Sequence, residues 1–88
     1  MKTIWKYTLQ PISTFEMPIG AKPPSVGVQF EEVMCMWVMV DPTGPLVTYE
    51  ERTFVVFGTG HPIPDNLDLN FIGTVMSDGL VFHVFEKL

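Results

Sequence analysis

The chain has one cysteine, one arginine and no apolar run longer than the eight residues from Val33 to Val40. Each shortage excludes something. A lone Cys35 can form no intramolecular disulfide, which suits a reducing compartment. Met34 and Met36 flank it inside that apolar run, the setting of a buried, inert thiol rather than a nucleophile. Lysine and arginine together number five against ten acids, for a formal charge of −5. Five cations cannot build the basic stripe of a DNA- or RNA-backbone binder. An eight-residue apolar run falls far short of the ~20 residues a membrane helix needs. The opening MKTIWKYTLQ has no apolar h-region and no small-residue cleavage site, so neither a signal peptide nor a membrane span is expected. No breaker-free window of about eleven residues shows a helical stripe.

What remains is an apolar, acidic chain of 88 residues, one domain over 1–88 on length. Its 47% hydrophobic and 17% charged content excludes a disordered chain. Seven Phe, two Trp, two Tyr and six Met are a large apolar load for this size. Such a load fits an aromatic core, or a surface that meets another subunit; a homo-oligomer is the expectation that goes with ligand binding.

Eight prolines and seven glycines cut the chain into short runs rich in Val, Ile, Phe, Trp, Tyr and Thr. That is the pattern of short strands joined by turns. Strands are expected at Thr3–Leu9, Thr14–Met17, Ser25–Phe30, Val33–Val40, Thr53–Thr59, Phe71–Met76 and Leu80–Phe85. Residues 46–51 read as an edge strand or a loop. Trp5, Tyr7 and Leu9 share one face of the first strand. Val33–Val40 is apolar on both faces and reads as a central strand. Pro18 to Pro24 is expected to be irregular, because proline cannot donate to a ladder. Glu31-Glu32 is poor chemistry for a two-residue hairpin turn, whereas Asp78-Gly79 is the best hairpin signal in the chain. Residues 41–45 read as a turn, and a short helical turn is expected near Asp65–Leu69. The fold class is all-β: a small, mostly antiparallel, six- or seven-stranded sandwich or open barrel with at most one short helical turn.

Little in the sequence carries chemistry. Gly58, Thr59, Gly60 and His61 follow a strand, and two glycines allow close backbone approach to a ligand. His61 adds a donor near neutral pH. The segment is neither a Walker loop nor a dinucleotide fingerprint, and a plain strand end is the simpler reading. Arg52 is the one fork-shaped donor for an anion, although beside Glu50 and Glu51 it reads first as a solvated charge pair. Lys6, between Trp5 and Tyr7, and Trp37 could contact a phosphate and stack a base; a snorkelling surface lysine and a core-packed tryptophan are the simpler readings. His61 and His83 lack metal-ligand spacing, and His83 reads as a packed, hydrogen-bonded strand residue. No nucleophile elbow and no working carboxylate pair is present. The expectation is therefore no catalytic residue, no metal and no cofactor. The candidate ligand-binding residues are Gly58, Thr59, Gly60, His61, Arg52, Lys6 and Trp37.

Several stretches carry a resemblance. They are Lys6-Tyr7-Thr8-Leu9, residues 17–21 (Met-Pro-Ile-Gly-Ala), Trp37-Val38-Met39-Val40-Asp41-Pro42, Gly58-Thr59-Gly60-His61-Pro62-Ile63-Pro64 and Val81-Phe82-His83-Val84-Phe85-Glu86. Through them the chain resembles a family of short uncharacterised proteins encoded by tailed bacteriophages, prophages and some bacteria. The Glu31-Glu32 loop departs from the Asn-Gly-like turn of that family. The resemblance implies a viral origin and action in the cytoplasm of a bacterial host, but no reaction.

Three roles follow as expectations. The first is a counter-defence protein that oligomerises and sequesters a small host signalling nucleotide, a reading by analogy with other small phage proteins. The −5 charge opposes it at long range. The second is a protein–protein interaction module, inhibiting a host protein or serving as an accessory virion component. The last is a metal-dependent hydrolase using His61, His83 and an aspartate.

Overall fold

A computed structural model describes residues 1–44 and 46–88, without the side chains of residues 23, 24 and 32. Pro45, the end of the expected turn at 41–45, lies outside the described residues. Seven strands form: β1 (Thr3–Thr8), β2 (Ile12–Pro18), β3 (Lys22–Gln29), β4 (Val33–Val40), β5 (Tyr49–Gly58), β6 (Leu69–Ser77) and β7 (Leu80–Lys87). All pairings are antiparallel. They make a three-stranded sheet in the order β1-β4-β3 and a four-stranded sheet in the order β2-β5-β7-β6. The fold is thus all-β, with no α-helix among the described residues and one 3-10 turn at Phe30–Glu32.

Alternation decides what each sheet buries. Leu9, Met36, Val38 and Val40 from the first sheet meet Met17, Phe54 and Val84 from the second in one core. Trp5 and Tyr7 pack against that core as the alternation predicts. Tyr7 stacks obliquely on Phe15 with 4.9 Å between ring centroids, joining the two sheets. The chain changes sheets at Gln10. Leu9 donates its N–H to the Met34 carbonyl on one side, and the Pro11 carbonyl accepts from the Val56 N–H on the other. The buried Ser13 hydroxyl accepts the intervening Gln10 N–H at 2.8 Å.

The strands with two apolar faces, β4 and β5, are interior strands of their sheets. Asp78-Gly79 forms the expected two-residue hairpin, with both φ values positive (54° and 77°) and Ser77 opposite Leu80. Gln29 pairs with Val33, so the Glu31-Glu32 loop holds three residues, with Glu31 left-handed at φ 60°.

Two local expectations change. The strand β3 starts at Lys22, and the proline pair lies within it. The ladder skips residues 23 and 24, with a register shift between Lys22 and Ser25. An edge strand tolerates this, because one side of its backbone needs no partner. The helical turn expected near Asp65–Leu69 is a β-turn instead, with Leu67 donating its N–H to Pro64 at 3.3 Å.

Candidate functional site

The glycine-rich segment is built on the end of β5. His61 N–H bonds back to the Gly58 carbonyl at 3.1 Å, and Gly60 takes φ 84°, which glycine adopts without strain. A Cβ on Gly58 would stand 2.9 Å from the imidazole of His61, so glycine lets that ring lie against the strand end. The Thr59 N–H bonds Val81 on β7 at 3.1 Å. Gly58, Thr59, His61, Leu80, Val81 and Phe82 line a shallow cavity of about 120 Å³.

His83 stands beside this turn, on the outer face of the four-stranded sheet. Thr59 Oγ1 lies 2.8 Å from its Nε2, and Thr74 Oγ1 lies 3.1 Å from its Nδ1. Both ring nitrogens are thus hydrogen-bonded by threonine hydroxyls, one as donor and one as acceptor in the neutral ring. Thr74 is the residue directly across the ladder from His83, a placement visible only once the register is known. A hydroxyl within reach of an oriented imidazole is the geometry of a nucleophile and its base. The N–H groups of Thr59 and His61 are both engaged in backbone hydrogen bonds. The cluster works as a cross-strand clasp.

The other candidate residues lie elsewhere. Arg52 is six residues from Gly58 along the same strand, roughly 20 Å away at the usual rise. It points between the sheets. Its Nε and Nη2 donate to the two carboxylate oxygens of Glu86 at 2.7 Å each, and its Nη1 donates to the Ala21 carbonyl. The two side chains are only 14% and 12% exposed. The sequence reading of a solvated pair with Glu50 or Glu51 is therefore corrected. Strand alternation turns Glu51 to the outer face, and on the inward face that Arg52 shares with Glu50 the guanidinium is held by Glu86 of the neighbouring strand. Hydrogen bonding to that carboxylate raises the guanidinium pKa further above its ordinary range.

Lys6 and Trp37 are directly opposite each other on the outer face of the three-stranded sheet. Trp37 is half-buried, and Gly27 makes room for it: a Cβ there would meet the indole at 3.2 Å. The Lys6 ammonium donates to Gln29 at 2.8 Å. The seven candidate residues thus fall into three separate places: the Gly58–His61 turn, the Arg52 ion pair between the sheets, and the Lys6–Trp37 pair. Cys35 is buried, as its apolar neighbours predict. Among the described residues, no group of three His, Cys, Asp or Glu side chains converges to hold a metal ion. No helix there is long and apolar enough to cross a membrane.

The sequence reading missed the outer face of the four-stranded sheet. Phe71, Met76 and Leu80 are 57%, 67% and 61% exposed there and at its hairpin end. Register places Met76 beside Val81 and Phe71 beside Phe85. The Phe85 ring contacts Phe71 and Phe57 edge-on, at 5.4 and 6.0 Å between centroids. An apolar cavity of about 330 Å³ opens beside them, lined by Pro11, Ile12, Val55, Phe57, Pro64 and Leu67 among others.

The model of a family described as a domain of unknown function, DUF7352, matches residues 1–88. No curated protein and no solved structure matches the chain.

Proposed function

We propose that this chain, which belongs to the DUF7352 family, is a non-catalytic binding protein that docks on a protein partner through the outer face of its four-stranded sheet. The carrying observation is the apolar strip along that face, Phe71 with Phe85 beside the cavity at Val55 and Phe57, and Met76 with Val81 beyond the intervening Thr74–His83 pair. Exposed apolar strips next to a pocket are where binding energy concentrates. Glu16 and Glu51, paired across the ladder on the same face, supply an acidic rim. A partner with an apolar anchor and a basic surround fits both, as a nucleic-acid-binding host protein does. The proposal includes a phage origin and action in the bacterial cytoplasm, supported by the resemblance of the Gly58–Pro64 and Val81–Glu86 stretches.

The test is a photo-crosslinking amino acid at Phe71, compared with the same probe at Ile4 on the opposite sheet. A crosslink to one basic bacterial protein from position 71 alone is expected. Crosslinks only between copies of this chain, or equal profiles from both positions, overturn the reading.

One observation favours sequestration of a small nucleotide by a homo-oligomer as a second reading: Lys6 lies beside the half-buried indole of Trp37, a cation next to a stacking surface. Native mass spectrometry of protein purified from bacterial lysate checks it. An oligomer releasing an intact small molecule on denaturation supports it, and a bare chain removes it.

A further inference from the structure

We infer that the cavity at the end of the three-stranded sheet, between Lys2 and Lys22, is a binding site for a small phosphate monoester. Its volume is about 330 Å³, and Lys2, Ile19, Gly20, Lys22, Met39, Val40 and Asp41 line it. The topology brings the two lysines together. Lys22 pairs with Met39 from one side of β4, while Thr3 pairs with Val40 from the other. Lys2 and Lys22 therefore flank the same strand end, on backbones two strand spacings (about 10 Å) apart, within reach of two long side chains.

Charge makes the site unusual for this molecule. Ten acids face five cations in the chain. Arg52 is taken by Glu86 and Lys6 by Gln29. Lys2, Lys22 and Lys87 have no ion-pair or hydrogen-bond partner among the described residues, and the first two converge on one cavity. The acid in its wall, Asp41, is already occupied. Its Oδ1 accepts from the Met1 ammonium at 3.1 Å and from the Thr43 hydroxyl at 2.6 Å. The hydroxyl and then the ammonium lower the Asp41 pKa. The two lysines thus remain as uncompensated positive charge. Gly20 adds a further donor. In the turn closed by the Ala21 N–H to the Pro18 carbonyl, the Gly20 N–H makes no backbone hydrogen bond among the described residues.

Two ammonium groups without an arginine fork suit a compact dianion met as point charges. Ile19 and Met39 offer an apolar wall for the organic part. The volume lies at the small end of ligand pockets and limits that part to a single ring or a short chain. The site is on the opposite sheet from the apolar strip and stands whether or not that strip binds a protein.

The experiment titrates the untagged chain with phenyl phosphate, with inorganic phosphate, benzoate and phenol in parallel arms, followed by amide chemical shifts. Saturable shifts at Gly20, Lys22 and Met39–Asp41 are expected with phenyl phosphate. Binding should weaken at least tenfold in the double variant Lys2→Gln with Lys22→Gln, whose dispersed spectrum shows that it folds. Equal affinity for benzoate overturns the phosphate assignment. Equal affinity for inorganic phosphate overturns the role of the apolar wall. Absent shifts, shifts elsewhere, or unchanged affinity in the double variant overturn the site.

Discussion

Arg52 and Glu86 form a two-bonded ion pair, 2.7 Å on each arm, diagonally across the β5–β7 ladder. Phe54, the direct ladder partner of Glu86, lies beneath the guanidinium, with 5.9 Å from Cζ to the ring centroid. An exposed pair would contribute up to ~1 kcal/mol, whereas breaking a buried one costs ~3–5 kcal/mol. This pair is largely covered, so Arg52→Ala is expected to destabilise the fold by about 2–3 kcal/mol in urea denaturation. Replacing both partners, Arg52→Met with Glu86→Leu, should recover most of that loss. A double variant as unstable as the single one would show that the pair is not the source of the effect.

Gly73 sits under Val26 where β6 approaches β3. A Cβ added at Gly73 would stand 2.8 Å from Val26 Cγ2, and a β-branched side chain yields little. Gly73→Ala should therefore cost about 1–3 kcal/mol through overpacking. Val26→Ala opens the space, so the double variant should lose less than the sum of the singles. Additive losses would mean that the two residues do not meet.

Glu31 holds φ 60° in the three-residue loop after β3. The left-handed conformation costs a non-glycine residue roughly 1–2 kcal/mol, and glycine's extra unfolded-state freedom returns part of that. Glu31→Gly is expected to stabilise the protein by about 0.5–1 kcal/mol, raising Tm by roughly 2–8 °C. Thermal melts decide it; an unchanged or lower Tm would mean that the loop is not strained.

Tyr7 has its phenol pKa raised, first by burial and then by the nearby Tyr49, with Arg52 opposing. The folded value lies above the unfolded one of about 10. The contribution is therefore complete below pH 10 and falls as pH rises through the folded pKa, because the unfolded chain ionises first. Stability should drop more steeply above pH 10 in the native sequence than in Tyr7→Phe. Parallel curves for the two proteins would contradict the assignment.

The sequence alone located the seven strands, though not the start of β3 through its proline pair, because alternation and turn chemistry are local. Trp5, Tyr7 and Leu9 had to share a face, β4 had to be interior, and Asp78-Gly79 had to close a hairpin. It could not decide what those faces meet. Arg52 looked paired with its neighbours Glu50 and Glu51, but the β5–β7 register brings it to Glu86, thirty-four residues away. Lys2 and Lys22 carried no motif and converge only because β1 and β3 flank the same strand. His83 gained Thr59 and Thr74 in the same way, through register. Gly58 to His61, the most conspicuous segment, became a turn and a shallow cavity far from Arg52. Local patterning fixes which residues extend and which side each one faces. Only long-range pairing between strands sets which side chains become neighbours, and a binding site is made of neighbours.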